Sequence, residues 1–251
     1  MNEESLAKLR QRNLDSAGEW KRYAEHRRHC TRLILDAAPV KPTRLCLLGA
    51  GNCNDVELTA LAKKFAEIHL VDFDKEAVTK GLKRQFSGLQ GKIMIHAPVD
   101  LDAEDAISQL SAIGKFDVVA SLCVLSQIID AIPEQQKNKE EGLPLIHQIR
   151  TRHFDLLTSL AGPQGSVVIA NEAVSSDTEP SVATCEAPML GPTLVQLALE
   201  QKLFMGLNPA VIAGELQALA PGHTLKTTPP WKWDFGARTY AVCGHSLNRQ
   251  A

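Results

Sequence analysis

Two glycines and a series of acidic residues in the first hundred positions are the groups in this sequence best suited to holding a ligand. Gly49-Ala50-Gly51 ends an apolar run and leads into Asn52, Asn54 and Asp55. Glycine reaches positive φ and lets a ligand approach the backbone with no side chain in between. A helix start behind such a turn offers unpaired N–H groups, which favour a negative group such as a carboxylate. Asp72 follows at the end of the next apolar run, about twenty residues on, where a carboxylate can accept hydrogen bonds from both hydroxyls of a ribose. Asp100 and Asp102 end a third run, and one of them can face an adenine amino group. A glycine turn, a sugar acid and a third acid, in that order, point to an adenosine-containing ligand.

These residues need a scaffold that brings strand ends together. Residues 1–38 read as helical and polar, with Leu6, Leu9, Trp20, Tyr23, Leu33 and Ile34 at helical intervals, and Pro39 and Pro42 close the region. Apolar runs at 44–48, 67–71, 92–96, 116–122 and 166–170 read as strands. Between them lie helical patterns marked by Leu58, Leu61, Ala62 and Phe65, by Val78, Leu82 and Phe86, by Ile107 and Leu110, and by Leu145, Ile149, Leu156 and Leu160. The first of these helices is expected to start near Asn54, with Asn54 as its cap and Glu57 completing a capping box. A charged stretch, 134–141, precedes the long fourth helix.

The last third changes character. Residues 174–193 are rich in Ser, Thr and Pro and long enough to suggest a lid or a mobile loop. Residues 194–205 are helical by pattern, and Asn208-Pro209 opens another helix. Residues 223–228 and 239–243 read as an antiparallel hairpin joined through Pro229, Pro230 and Gly236. The expectation is therefore an α/β, doubly wound, seven-stranded, mostly parallel sheet with helices on both faces, a C-terminal antiparallel hairpin and an N-terminal helical cap. As one domain over 1–251 it divides into a cap (1–38), a ligand-binding core (39–172) and a lid, helices and hairpin (173–251). Such sheets bind ligands at the carboxyl ends of their strands.

Composition excludes several functions. The chain of 251 residues has a formal net charge of -2 and 44% apolar residues, so no basic excess recruits nucleic acid. No run approaches a membrane span, and the polar start, Met1 to Leu14, lacks the apolar core of a secretory signal. A cytoplasmic location follows as the default, with neither nucleic acid nor membrane as partner. The six cysteines form no C-x-x-C pair and read as buried free thiols, with no metal site expected.

The chain resembles the class I S-adenosylmethionine-dependent methyltransferases. The residues that carry the resemblance are Leu45-Cys46-Leu47-Leu48-Gly49-Ala50-Gly51-Asn52 and Leu70-Val71-Asp72-Phe73-Asp74. They continue with Asp100-Leu101-Asp102, then Phe116-Asp117-Val118-Val119 leading to Ser121-Leu122-Cys123-Val124-Leu125, and finally Gly162-Pro163-Gln164-Gly165. The likeness spans residues 40–245. It implies S-adenosylmethionine as cofactor, contacted by Gly49, Ala50, Gly51, Asn52, Asn54, Asp72, Phe73, Asp100, Leu101, Leu122 and Cys123, and methyl transfer to a small-molecule acceptor. The sequence departs from the family at two places: Leu47 stands where an acid often precedes the glycines, and Cys53 where a third glycine often stands. Asn52, Asn54 and Asp55 are candidates to supply the polar contacts so lost.

Methyl transfer from a sulfonium needs alignment more than acid–base machinery, though an acceptor hydroxyl or amine can require a base. Candidates on the acceptor side are Tyr23, His26, Gln127, His147, Glu172 and Trp231. Arg27 and His29 share the helix of Tyr23 and His26, which is equally well read as a solvated basic face. Ser126 reads as a ligand contact or a helix cap, and His147, Arg150 and Phe154 as one helix flank. His153, beside the apolar face, reads as a core histidine; Trp231 and Trp233 pack or stack on a substrate. Two other functions share these features: a catalytically inactive S-adenosylmethionine sensor or scaffold, and a nicotinamide-dependent oxidoreductase, whose third small residue Cys53-Asn54 fits poorly.

Overall fold

The computed structural model describes residues 2–85, 91–137, 140 and 142–249. Phe86, expected on the second helix, lies outside these residues, as do Asn138, Lys139 and Glu141 of the charged stretch and Met1 at the start.

Two helices come first, α1 (Glu3–Ser16) and α2 (Ala24–Ala37). Strands and helices then alternate: β1 (Arg44–Leu48), α3 (Leu58–Lys64), β2 (Glu67–Val71), α4 (Lys75–Gln85), β3 (Ile93–His96), α5 (Ala106–Ser111), β4 (Val118–Leu122) and α6 (Val124–Ala131). The one-turn α7 (Glu134–Lys137) precedes the long α8 (Gly142–Ala161) and β5 (Ser166–Ser175). The remainder is α9 (Ser181–Thr184), α10 (Leu190–Leu199), α11 (Pro209–Leu219), β6 (His223–Thr227), β7 (Trp231–Asp234) and β8 (Thr239–Arg249).

The sheet runs β3-β2-β1-β4-β5-β8-β6, with β7 also paired to β8. It is parallel from β3 to β5 and antiparallel beyond. All seven expected strands are present, and β7 makes an eighth. It was hidden between Pro229-Pro230 and Gly236, and its signal was the alternation Trp231-Lys232-Trp233. The chain reverses between β1 and β4, so loops after β1, β2, β3 and β4 gather at one end of the sheet, the place where such sheets open a crevice.

Alternation along each strand divides the core in two. Leu45 and Leu47 of β1 face Ile34 of α2, Leu58 and Leu61 of α3 and Val78 of α4. Cys46 and Leu48 face Leu110 of α5, Leu125 of α6, Ile149 and Leu157 of α8 and Ile212 of α11. Each buried side chain of this size contributes roughly 1.5–3 kcal/mol. All six cysteines are free, five of them buried.

Three expectations need correction. The helix after the glycines begins at Leu58, not near Asn54: the Asn54 side chain is drawn toward α1 and its Oδ1 caps no N–H among the described residues, while Glu57 is held by α2. The Asn54 amide donates to Ser16 O (2.9 Å) and Glu57 accepts from Arg27 Nε (2.6 Å). The helix expected over 194–205 is α10, which starts earlier and stops at Leu199, where Gln201 turns the chain with a positive φ. Residues 174–193 are not a structureless loop: β5 extends through Ser175, and Val182 and Leu190 are completely buried in a third apolar cluster with Val174 and Ala241. Among the described residues no helix is long and apolar enough to cross a membrane.

Gly81 shows how tightly the post-β1 loop is packed. It lies inside α4, where alanine is ordinarily favoured by about 1 kcal/mol, yet a Cβ there would overlap the Asn52 carbonyl. Gly81→Ala is expected to destabilise the chain by about 1–3 kcal/mol through overpacking, read as a lower melting temperature. A raised melting temperature would show that α4 and the loop do not meet this closely.

Candidate active site

The strand-end crevice is a cavity of about 670 Å³. Its floor is the turn after β1. Gly49 (φ 67°) and Gly51 (φ 45°) both take left-handed conformations, and so does Cys53 (φ 52°), at the position of the expected third glycine. The loop thus keeps a glycine-like path with a side chain that tolerates it poorly. A Cβ on Gly49 would run into the Val124 side chain, so the absence of a side chain lets the loop after β4 close on the turn.

Asp72, at the end of β2, is buried at 4% exposure. Its carboxylate accepts from Gly51 N (Oδ2, 2.8 Å) and from Asp74 N (Oδ1, 2.8 Å). Burial pushes its pKa up to about 6, against those two backbone donors and with help from the Asp74 charge. Keeping it ionised at pH 7 therefore costs roughly 3 kcal/mol of folding stability. Each oxygen uses one lone pair on the backbone and keeps one to accept from a ligand.

The roof comes from an unexpected quarter. Arg12, Asn13, Asp15 and Ser16 of α1 line the cavity. The last turn of α1 is fastened to the glycine loop by Asn52 Nδ2, which donates to Asn13 O (2.6 Å) and Ser16 Oγ (3.1 Å), and by the Asn54 amide. Asn13 in turn donates to Asp74 Oδ2 (3.1 Å). Phe73, Val99 and Leu101 form an apolar side, and Val124, Ser126 and Gln127 stand opposite. Beyond them Glu172, Trp233, Phe235, Tyr240 and Tyr23 form the far wall.

No family model and no curated protein matches the sequence. Solved structures do match. The N-methyltransferase NodS from Bradyrhizobium japonicum WM9 is similar with a TM-score of 0.51 and 14% identity, covering 94% of this chain and 99% of that one. NodS in complex with S-adenosyl-L-homocysteine gives 0.51 and 14% over 90% and 87%. The O-methyltransferase TomG from Streptomyces achromogenes, in complex with SAM, gives 0.50 and 14% over 100% and 92%. The chain has the class I methyltransferase fold.

Within this methyltransferase fold the expected residues separate into two groups. Gly49, Ala50, Gly51, Asn52, Asn54, Asp55, Asp72, Phe73 and Leu101 all line the cavity, as do Tyr23, Ser126, Gln127 and Glu172. Others stand behind the wall. Asp100 accepts from Asp102 N (2.9 Å), and Asp102 pairs with Arg152 (2.5 Å). Leu122 and Cys123 are core residues, and the cavity face of that segment is Val124 instead. Trp231 lies two residues short on the same face of β7: Trp233 reaches the cavity, while Trp231 donates its indole N–H to His26 Nδ1 (3.1 Å).

His26 is completely buried and serves that structural contact. Because Nδ1 accepts from Trp231, the ring proton sits on Nε2 and is donated to Asp55 Oδ1 (3.0 Å). Arg27 is a clamp, stacked 3.4 Å over the Trp20 ring centroid and bonded to Glu57, and His29 stacks on Trp231. His147 is largely exposed beside Glu215, which Arg150 holds with two hydrogen bonds of 2.5 Å. The residues of α1 were missed because a polar helix gives no sign of which turn it docks.

His153 is a core histidine, as its position beside the apolar face suggests. It is 1% exposed, its Nε2 meets Ser121 Oγ at 2.8 Å, and burial lowers its pKa to about 4. A folded pKa below the unfolded value near 6.5 means the unfolded chain takes the proton first, so stability falls as pH drops from about 6.5 to 4. His153→Gln is expected to lose that part of the acid sensitivity, roughly 3 kcal/mol across the window. Denaturant titrations at pH 7 and pH 4.5 measure it, and an unchanged difference between parent and variant would contradict a neutral buried imidazole.

Proposed function

We propose that this chain binds S-adenosylmethionine across the carboxyl ends of β1, β2 and β4 and transfers its methyl group to a small-molecule acceptor. The observation that carries this reading is the single cavity wall shared by the glycine turn, the Asp72 carboxylate and the segments after β3 and β4. Its volume, about 670 Å³, falls within the range of small-molecule sites and accommodates a nucleoside cofactor with a modest acceptor. The solved structures of this fold with S-adenosyl-L-homocysteine and SAM bound support the choice of cofactor.

The residues present suit such a group. Asp72 has lone pairs left for vicinal hydroxyls, and the apolar pair Val99 and Leu101 with Phe73 suits a flat base. The Gly49–Gly51 bend admits an amino-acid tail without a Cβ in the way, and the buried Asn54 Oδ1, which has no partner among the described residues, can accept from an ammonium. Bound there, the cofactor supplies an electrophilic methyl group, and the cavity supplies alignment.

Calorimetric titration with S-adenosylmethionine, S-adenosylhomocysteine and NAD tests the reading: the first two are expected to bind and NAD to fail. Asp72→Ala is expected to weaken S-adenosylhomocysteine at least thirtyfold, about 2 kcal/mol, as hydrogen bonds to a charged acceptor are lost. In the parent the affinity should fall about tenfold per pH unit below pH 6, as Asp72 takes up a proton and one acceptor oxygen becomes a donor. Binding of NAD in preference to both, or an Asp72→Ala chain of parental affinity, would refute the proposal.

A further inference from the structure

We infer that the acceptor is an amine, met as an ammonium by the Glu172 carboxylate beside an aromatic wall, and that Glu172 takes the proton the nitrogen must lose. The inference rests on the methyl-transfer reading and adds the substrate class and a catalytic residue.

Glu172 sits in a strand that is buried throughout and mostly apolar: Val167, Val168, Ile169, Ala170, Ala173 and Val174 flank the buried polar pair Asn171 and Glu172. A carboxylate placed there is itself only 7% exposed, and burial raises its pKa. The groups that face it are the Cys123 thiol, just before α6, which hydrogen-bonds to it, and side chains from α6, α2 and α1. From α6, Ser126 Oγ lies within hydrogen-bond reach of both Glu172 Oε2 and Cys123 O, and its one proton serves one acceptor at a time. The carboxyl–hydroxyl pair therefore has room for a further proton. At the start of α2, burial and then the charges of Asp55, Cys123 and Glu172 push the Tyr23 phenol up, and His26 of α2 is also near. The His26 ring nitrogens are engaged elsewhere, Nδ1 by the Trp231 indole N–H and Nε2 by Asp55. Arg12 of α1 feels both Glu172 and Tyr240 of β8, but its guanidinium is paired with Asp130.

The rings suit a cation. Trp233 lies 4.7 Å from Tyr23, 5.3 Å from Tyr240 and 5.4 Å from Phe235 between centroids, and all four rings line the cavity. Aromatic faces beside a carboxylate attract ammonium groups. The charges of the wall lead to the same class. Among the described residues Arg12, Lys137 and Arg238 are the cations lining the cavity, and each is already paired, with Asp130, Glu134 and Asp177 respectively. Asp15, Asp72 and Glu172, again among the described residues, line the cavity with no ion pair of their own, and Asp55 there has only the His26 imidazole. An acceptor carboxylate or phosphate would meet these with no cation left over, whereas an ammonium is drawn in.

An ammonium has no lone pair to give. One N–H proton passes to Glu172, and the nitrogen lone pair so freed forms the N–C bond as the C–S bond breaks with its electron pair remaining on sulfur. The nitrogen now carries the positive charge, the product departs as a methylated ammonium, and Glu172 returns its proton to solvent.

The test titrates phenethylamine, 2-phenylethanol and phenylacetate into the full chain, with and without saturating S-adenosylhomocysteine. Phenethylamine is expected to bind at least tenfold more tightly than the alcohol, and phenylacetate weakest. Glu172→Gln is expected to remove the preference for the amine while leaving the S-adenosylhomocysteine affinity at the parental value and the melting temperature no lower than the parent's. The parent's amine-to-alcohol ratio decides the matter even if the variant does not fold. Failure of S-adenosylhomocysteine to bind sinks the cofactor reading alone. An amine that binds no better than the alcohol or the carboxylate, or a Glu172→Gln chain that keeps the preference, overturns the inference.

Discussion

The carboxylate of Asp72, caught between the N–H of Gly51 and the N–H of Asp74, is the contact on which the rest of the site depends. It joins the ends of β1 and β2 through one side chain. It also fixes the left-handed bend at Gly51, which sets the path of the loop through Cys53 and Asn54 to α3. Asn52 and Asn54, displayed by that path, then dock the last turn of α1. An ionised carboxylate this deep is unfavourable for folding. Its persistence there is explained by the backbone donors it satisfies and by the lone pairs it still presents to the cavity.

Sheet and roof are held by different forces. The sheet is stabilised by two apolar layers, and its strands β1, β4 and β5 are buried nearly throughout. α1 buries only Ser5 and Leu9, and its attachment is polar: Ser5 Oγ to Ala131 O, Lys8 to Asp130 O, Arg12 to Asp130, and its C-terminal carbonyls to Asn52, Asn54 and Arg84. Net contributions of about 1 kcal/mol per hydrogen bond make α1 the element of lowest local stability around the cavity. The same carbonyls cap the helix end, so the loop and α1 satisfy one another's polar groups.

The sheet was legible in the sequence because strands and helices buried on defined faces write their period into the apolar pattern. Gly49, Gly51 and Asp72 were legible for a related reason, since backbone chemistry demands those residue types at those turns. What was not legible depended on contacts distant in the chain. Asn54 looks like a cap until Ser16, thirty-eight positions away, takes its amide. Trp231 and Trp233 are equivalent in composition and share one face of β7, so only position along the strand, set by its pairing with β8, decides which reaches the cavity; a slip of two residues would exchange them. Arg12, Asn13 and Ser16 carried no local signal at all, because a polar helix docked by hydrogen bonds has no apolar stripe to orient it.

His26 connects these levels. Its ring lies between Trp231 on one nitrogen and Asp55 on the other, and stacks on Trp233 at 4.2 Å. One neutral imidazole thereby ties α2 to the edge hairpin and to the loop after β1, and it sets the angle of the ring that faces the cavity. A charged histidine could not do this, since Nδ1 must remain an acceptor. The deep wall of the cavity is thus braced by a histidine that does not itself line it, and Trp233 owes its orientation to contacts made behind the wall.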